Sequence, residues 1–280
     1  MSSFPLLQTK RQRSWGWATA IDFFFGGVGA GLFLFSFLTS ISLGLIMGWL
    51  FVVIGLGVLA AEVGTRWNIR RIFSRIASSW LSRGAAINAI FLIFGILCII
   101  MWLVGQVGLG FWFGLIGCIA ALLIICYPAL LLLQSSVAIP FWGSAVLPLL
   151  FLSHSLAGGL SALILLSLFT PIQTTQLIWW QFTLLITTLV LLIIYLMTTS
   201  VSRLENRSSL NEVVRGELSR YFLTSLIMGI LLPLLLGGLT YLINNTFPAL
   251  IGSVVTLIGL LLLRYLTLAA GRYVEVHPWR

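Results

Sequence analysis

The chain has 280 residues, of which 60% are apolar and only 8% charged, where a soluble domain carries about a quarter charged residues. That composition excludes a soluble enzyme, a disordered protein and a secreted disulfide scaffold, and apolar runs that are continuous rather than alternating exclude a transmembrane β-barrel. The formal charge of +9 would suggest a nucleic-acid partner in a soluble protein; here the bases sit in short segments between apolar runs, so they report membrane orientation and no nucleic acid is expected.

A membrane-spanning helix needs about 20 apolar residues at ~1.5 Å each. Eight segments qualify: 17–40, 45–63, 86–104, 110–133, 146–168, 177–199, 221–243 and 248–270. The sequence therefore predicts an all-α integral membrane protein with eight transmembrane helices and both termini on the same side. A basic N-terminal tail covers 1–16, the spanning domain 17–270 and a C-terminal tail 271–280. No signal peptide is expected, because the first apolar run is too long for an h-region and no A-x-A site follows it. No internal repeat is visible.

Along the chain, the first span carries Asp22 early and then Gly26-Gly27-x-Gly29-x-Gly31. A nucleotide-loop reading of these glycines fails, since no strand precedes them. Gly27 and Gly31 instead make the G-x-x-x-G of close helix packing. Glu62 closes the second span. In the loop 64–85, Ile69, Ile72, Phe73, Ile76 and Trp80 fall at helical spacing over 66–83, with Arg70, Arg71 and Arg75 on other faces. This pattern predicts an amphipathic helix on the membrane surface. Tyr127 lies late in the fourth span, His154 in the first half of the fifth and Arg264 late in the eighth. In the loop 200–220, Ser209 and Glu212 have capping-box spacing ahead of Val213, Val214 and Leu218. Each of the two loops reads either as lipid-headgroup contact or as a docking platform for a partner protein.

The charges divide by face. Every Lys and Arg except Arg264 falls in the N-terminal tail, the loops 64–85 and 200–220, or the C-terminal tail, whereas the turns 41–44, 105–109, 169–176 and 244–247 contain none. Positive-inside bias then puts both termini in the cytoplasm of a prokaryotic cell, with the chain in the inner membrane. An even number of spans follows, because a miscount by one would scatter the arginines over both faces.

Ionisable groups inside a span are costly and mark candidate functional sites. Asp22, Tyr127 and Arg264 lie within about 10 Å of the arginine-rich edge, Glu62 at the edge and His154 ~12–15 Å deep. Each has a bland account: Asp22 beside a helix start, Arg264 snorkelling, Tyr127 as an interfacial aromatic, His154 as a packed, hydrogen-bonded histidine. Their common level on several spans favours a site. A membrane haem b needs two histidines at membrane depth; His154 is one, and His277 is in the tail, so no haem is expected. Cys98, Cys118 and Cys126 lie within apolar spans, no C-x-x-C occurs, and no metal site is expected in this chain.

At the residue level, Trp15-Gly-Trp17-Ala-Thr-Ala-Ile-Asp22 through Gly31 resembles the first helix of the NrfD/PsrC family, the membrane subunits of polysulfide reductase and related molybdopterin complexes. Glu62-Val-Gly64-Thr-Arg66 resembles the family's Asp-x-Gly-Arg-Pro, and Ser79-Trp80-Leu-Ser82-Arg83-Gly84 its Ser-Trp-x-Ser-Arg-Gly. Tyr127-Pro-Ala-Leu-Leu, Ile139-Pro140-Phe141-Trp142 and Leu147-Pro148 resemble its fourth helix, following loop and fifth helix; Leu263-Arg264-Tyr265 resembles the end of its last. The resemblance covers most of the first 165 residues and the final helix; 170–245 match only in hydropathy. It implies a membrane anchor that binds a quinone (menaquinone or ubiquinone) and carries no cofactor of its own. Its partners would be an iron–sulfur, ferredoxin-like subunit and a molybdopterin catalytic subunit. Tyr127 matches the family's quinone-site tyrosine. The family's histidine position is Asp22 here, Glu62 replaces an aspartate, and Arg66 is displaced by one residue with no proline after it. The candidate quinone-contacting residues are then Asp22, Tyr127 and Thr19, with Glu62, Arg264 and His154 supporting proton transfer and Arg66, Arg70, Arg71, Trp80 and Arg83 docking the partner; no catalytic residue is assigned. Several family members hold their partner on the outer face, which competes with the cytoplasmic assignment. The alternative function is a proton or ion transporter using Asp22, Glu62, His154 and Arg264 as a relay, which predicts an inverted repeat and broken helices. A third is a structural anchor without a redox role.

Overall fold

The computed structural model of the chain describes residues 10–63, 79–201 and 204–273. Eight helices are long and apolar enough to cross a membrane: α1 (Trp17–Leu38), α2 (Ser42–Val63), α3 (Trp80–Leu103), α4 (Val107–Gln134), α5 (Leu147–Leu166), α6 (Thr174–Val201), α8 (Ser219–Ile243) and α9 (Phe247–Ala269). A shorter helix, α7 (Leu204–Val214), links α6 to α8. The eight expected spans are all present, their ends shifted by a few residues.

Helices that are apolar all round give no amphipathic stripe to set their rotation, so small residues do it. α5 and α1 form the centre: 78% and 67% of their most apolar stretches are buried, against 28% for α2, α3, α6 and α8. Glycines let the central helices touch. A Cβ on Gly31 of α1 would come 2.6 Å from the Ser155 carbonyl oxygen of α5, and one on Gly48 of α2 would come 2.7 Å from the Gly29 carbonyl oxygen. The G-x-x-x-G reading of Gly27 and Gly31 thus holds, with α5 as the partner. α8 and α9 meet in the same way at Gly229 and Gly259. Beside that contact, α8 widens into a π turn at Ile227–Leu231. Pro233, just beyond it, has no N–H to give the Gly229 carbonyl.

The two ends of the chain are tied together. Strands β1 (Lys10–Arg11) and β2 (Arg272–Tyr273) pair antiparallel. The buried Gln12 amide donates to the carbonyls of Leu268 (2.9 Å) and Trp15 (2.8 Å) and accepts from Trp15 N–H. Trp15 stacks on Trp142, whose indole N–H donates to the Thr267 carbonyl at 2.8 Å.

Two local expectations are corrected. α3 begins at Trp80, six residues before the expected span start, so Trp80 and Arg83 belong to the first turn of a spanning helix. There the Arg83 guanidinium lies 4.7 Å above the Trp80 ring and Trp80 N–H donates to the Gln134 side chain at 3.2 Å. The rest of the expected surface helix, with Arg66, Arg70, Arg71 and Arg75, lies outside the described residues. The Ser209–Glu212 capping box does not form, because both residues sit inside α7. Glu212 instead accepts from Arg272 (Nε at 2.8 Å, and a second contact from Nη2) and faces Arg11 at 3.5 Å. A carboxylate able to collect two arginines at the junction of the tails outweighs a local cap.

Candidate functional site

Asp22 projects from α1 in its second turn and is only 4% exposed. α2 makes room for it: a Cβ on Gly55 would stand 3.3 Å from its Oδ1. Among the described residues nothing donates a hydrogen bond or an ion pair to this carboxylate. It lines a narrow cleft together with Tyr127 of α4, Asn88 of α3, Val52 and Leu56 of α2, and Ile124. Tyr127 is 7% exposed, and Asn88, also buried, lines the same cleft. The helix that carries Tyr127 includes Pro128, which removes one backbone donor at this point. Three polar side chains from three helices therefore converge on one cleft with otherwise apolar walls. That is the usual chemistry of a small-molecule site, although only about 10 Å³ stands free in it, room for about one water.

The other expected residues lie elsewhere. His154 and Arg264 line a separate gap between α1, α5 and α9, with Phe24, Val28, Ser155 and Leu260. Arg264 is 4% exposed; its Nη2 donates to the Phe151 carbonyl (3.1 Å) and Ser155 Oγ (2.7 Å), and its guanidinium lies 3.6 Å above the Phe151 ring. Its Nη1 and the His154 Nε2 are buried and have no hydrogen-bond partner among the described residues. The glycine pair Gly26-Gly27 divides the two sites: both line the cleft, while a Cβ on Gly27 would also stand 3.6 Å from Arg264 Nη2. Glu62 is exposed at the end of α2 and Thr19 is half-buried on α1; neither lines the cleft. The expected single set of groups at one level is thus divided into a cleft holding Asp22 and Tyr127, a second gap holding His154 and Arg264, and two peripheral residues.

Asn88 is the site residue that sequence reasoning missed. Its signal was a lone amide in an apolar run, four residues after Gly84. Among the described residues no group of three or more His, Cys, Asp or Glu is placed to hold a metal ion.

The family model described as Polysulphide reductase, NrfD, matches residues 5–276, nearly the whole chain. The chain therefore belongs to that family, whose members are membrane subunits of oxidoreductase complexes. No curated protein matches the sequence.

Proposed function

We propose that this NrfD-family membrane subunit binds a quinone or quinol in the Asp22–Tyr127 cleft and exchanges electrons between the membrane quinone pool and an iron–sulfur partner, which in turn serves a molybdopterin catalytic subunit. The observation that carries the reading is the convergence of Asp22 and Tyr127, each less than a tenth exposed, on one apolar-walled cleft. The residues fit a ring with two opposed oxygens. About 10 Å³ stands free between these side chains, so a ring head group enters only as the lining side chains move apart, with its isoprenoid tail left among the lipids.

The bound ring supplies the redox chemistry, its reduced form giving up two electrons and two protons. The Tyr127 hydroxyl donates a hydrogen bond to a ring oxygen. The Asp22 carboxylate, with no partner among the described residues, takes the two protons in turn when reduced ligand is oxidised, passing the first toward solvent before accepting the second, and supplies them in the same way in the reverse direction. The apolar walls, Val52, Leu56 and Ile124, keep bulk water from the ring.

A second cleft, with about 20 Å³ of free space, lies among Phe141, Leu150, Leu192, Tyr195, Phe222 and Leu266. It is the weaker candidate, because its polar groups are already engaged: the Tyr195 hydroxyl donates to the Phe141 carbonyl at 2.8 Å and the Thr267 hydroxyl to the Leu263 carbonyl at 2.8 Å. A transporter relay through Asp22, Glu62, His154 and Arg264 is disfavoured by their separation into different pockets. Positive-inside bias supports a cytoplasmic docking face.

Tyr127→Phe and Asp22→Asn are expected each to lower quinol-linked turnover at least tenfold while the complex still assembles, as expected for loss of a donor or a proton carrier. Wild-type rates in both variants would overturn the assignment.

A further inference from the structure

Gly84 and Asn88 stand one turn apart on the same face of α3, and both address the same side chain of α4. A Cβ on Gly84 would come 2.5 Å from Cε2 and 2.7 Å from Cδ2 of Tyr127, closer than carbon atoms approach without displacement. The ring of Tyr127 therefore occupies the space that any larger residue at 84 would fill. One turn further, the buried Asn88 Nδ2 donates to the Gly84 carbonyl at 2.9 Å. That bond fixes the amide plane, and Asn88 and Tyr127 line the same cleft. A phenol at the wall of a narrow cleft has two wells for its ring and a freely rotating O–H. Gly84 limits the ring's position, and Asn88 is the polar side chain that α3 presents to the same cleft. The carbonyl bond explains why an amide serves at 88: a carboxylate has no N–H to donate to Gly84, and a leucine can engage neither group.

We infer that Gly84 and Asn88 are positioning residues that act through Tyr127, setting its hydroxyl toward a ligand oxygen across the cleft from Asp22. The inference rests on the quinone reading for its ligand, while the cradle itself is a claim about α3 and α4 alone. Asn88 also lines the cleft, so acting through Tyr127 must be separated from touching the ligand directly. A double-mutant cycle makes that separation.

The test uses the full chain purified in detergent, as wild type, N88L, Y127F and N88L/Y127F, with N88S in place of N88L if the leucine variant does not assemble. Affinity for 2-methyl-1,4-naphthoquinone is measured by quenching of tryptophan fluorescence, and thermal unfolding is followed without ligand. Asn88→Leu is expected to weaken binding about tenfold when Tyr127 is present and less than twofold in the Y127F background, as expected for loss of one buried polar contact. Gly84→Ala is expected to weaken binding similarly and to be tolerated once Tyr127 is replaced by leucine. The unfolding midpoints should show the same non-additivity of N88L and Y127F. Independent, additive losses in both binding and unfolding would overturn the cradle. Wild-type protein that fails to bind the naphthoquinone, with coupled unfolding midpoints retained, would instead overturn the quinone reading and leave the cradle standing.

Discussion

Arg264 is the residue whose surroundings carry the least expected arrangement. A buried guanidinium in a membrane bundle normally faces a carboxylate, yet among the described residues none pairs with it. It is held by a carbonyl, a serine hydroxyl and the face of Phe151. Arg264→Met, apolar and of similar length, is therefore expected to change the unfolding free energy by no more than about 1 kcal/mol, where breaking a buried ion pair costs about 3–5 kcal/mol; thermal unfolding of the purified chain checks it. Asp22 and Tyr127 were legible in the sequence because each interrupts an uncharged apolar run. Their neighbourhood was only half legible. Depth along a helix follows from counting residues, so a shared membrane level could be read. Rotation about the helix axis could not, and rotation is what sends Asp22 toward α2 and α4 while Arg264 meets the opposite side of the glycine pair. Asn88 escaped because an amide does not ionise, and it is ionisable groups inside a span that mark a candidate site.

At the level of elements, span number and order were legible because the hydrophobic length of a bilayer imposes them. Helix ends were less so. Hydropathy starts the third span at 86, but backbone hydrogen bonding carries α3 back to Trp80, since a helix entering the interface has no reason to stop where its apolar residues do. The glycine contacts were legible at Gly27 and Gly31 as a spacing, though not the helix they meet. That contact is α5, and it is tight. A methyl group on Gly31 would press on the Ser155 carbonyl oxygen at 2.6 Å and on the Gly159 Cα at 3.3 Å, both backbone atoms that cannot rotate away. Gly31→Ala is accordingly expected to destabilise the bundle by about 1–3 kcal/mol, the cost of overpacking a rigid core. Gly57, where an added Cβ meets nothing within 4 Å, is the matched control and should accept alanine with no loss. Equal unfolding midpoints for the two variants would contradict the packing assigned to α1 and α5.

For the whole molecule, the paired strands β1 and β2 and the Glu212 contacts with Arg11 and Arg272 join the two tails and α7 at one end of the bundle. The exposed Arg13, Arg207, Arg215 and Arg220 lie in these same tail and loop segments. The joining of tails was not legible in the sequence, because it depends on Gln12 reaching the carbonyl of a residue 256 positions away. Positive-inside bias predicts that this end faces the cytoplasm. A reporter active only in the periplasm, fused after Arg280, should be silent, and strong activity would reverse the assignment. Which cleft takes the ring decides the matter, and the two clefts are lined by different helices, α1 to α4 for one and α5 to α9 with Phe141 for the other. Photolabelling of the assembled complex with an azido-naphthoquinone, followed by peptide mapping, separates them. Label is expected on α1, α3 or α4 around Asp22, Asn88 and Tyr127, displaced by excess unlabelled quinone and reduced in Y127F. Displaceable label confined to α6 and α8 around Leu192, Tyr195 and Phe222, unchanged in Y127F, would contradict it.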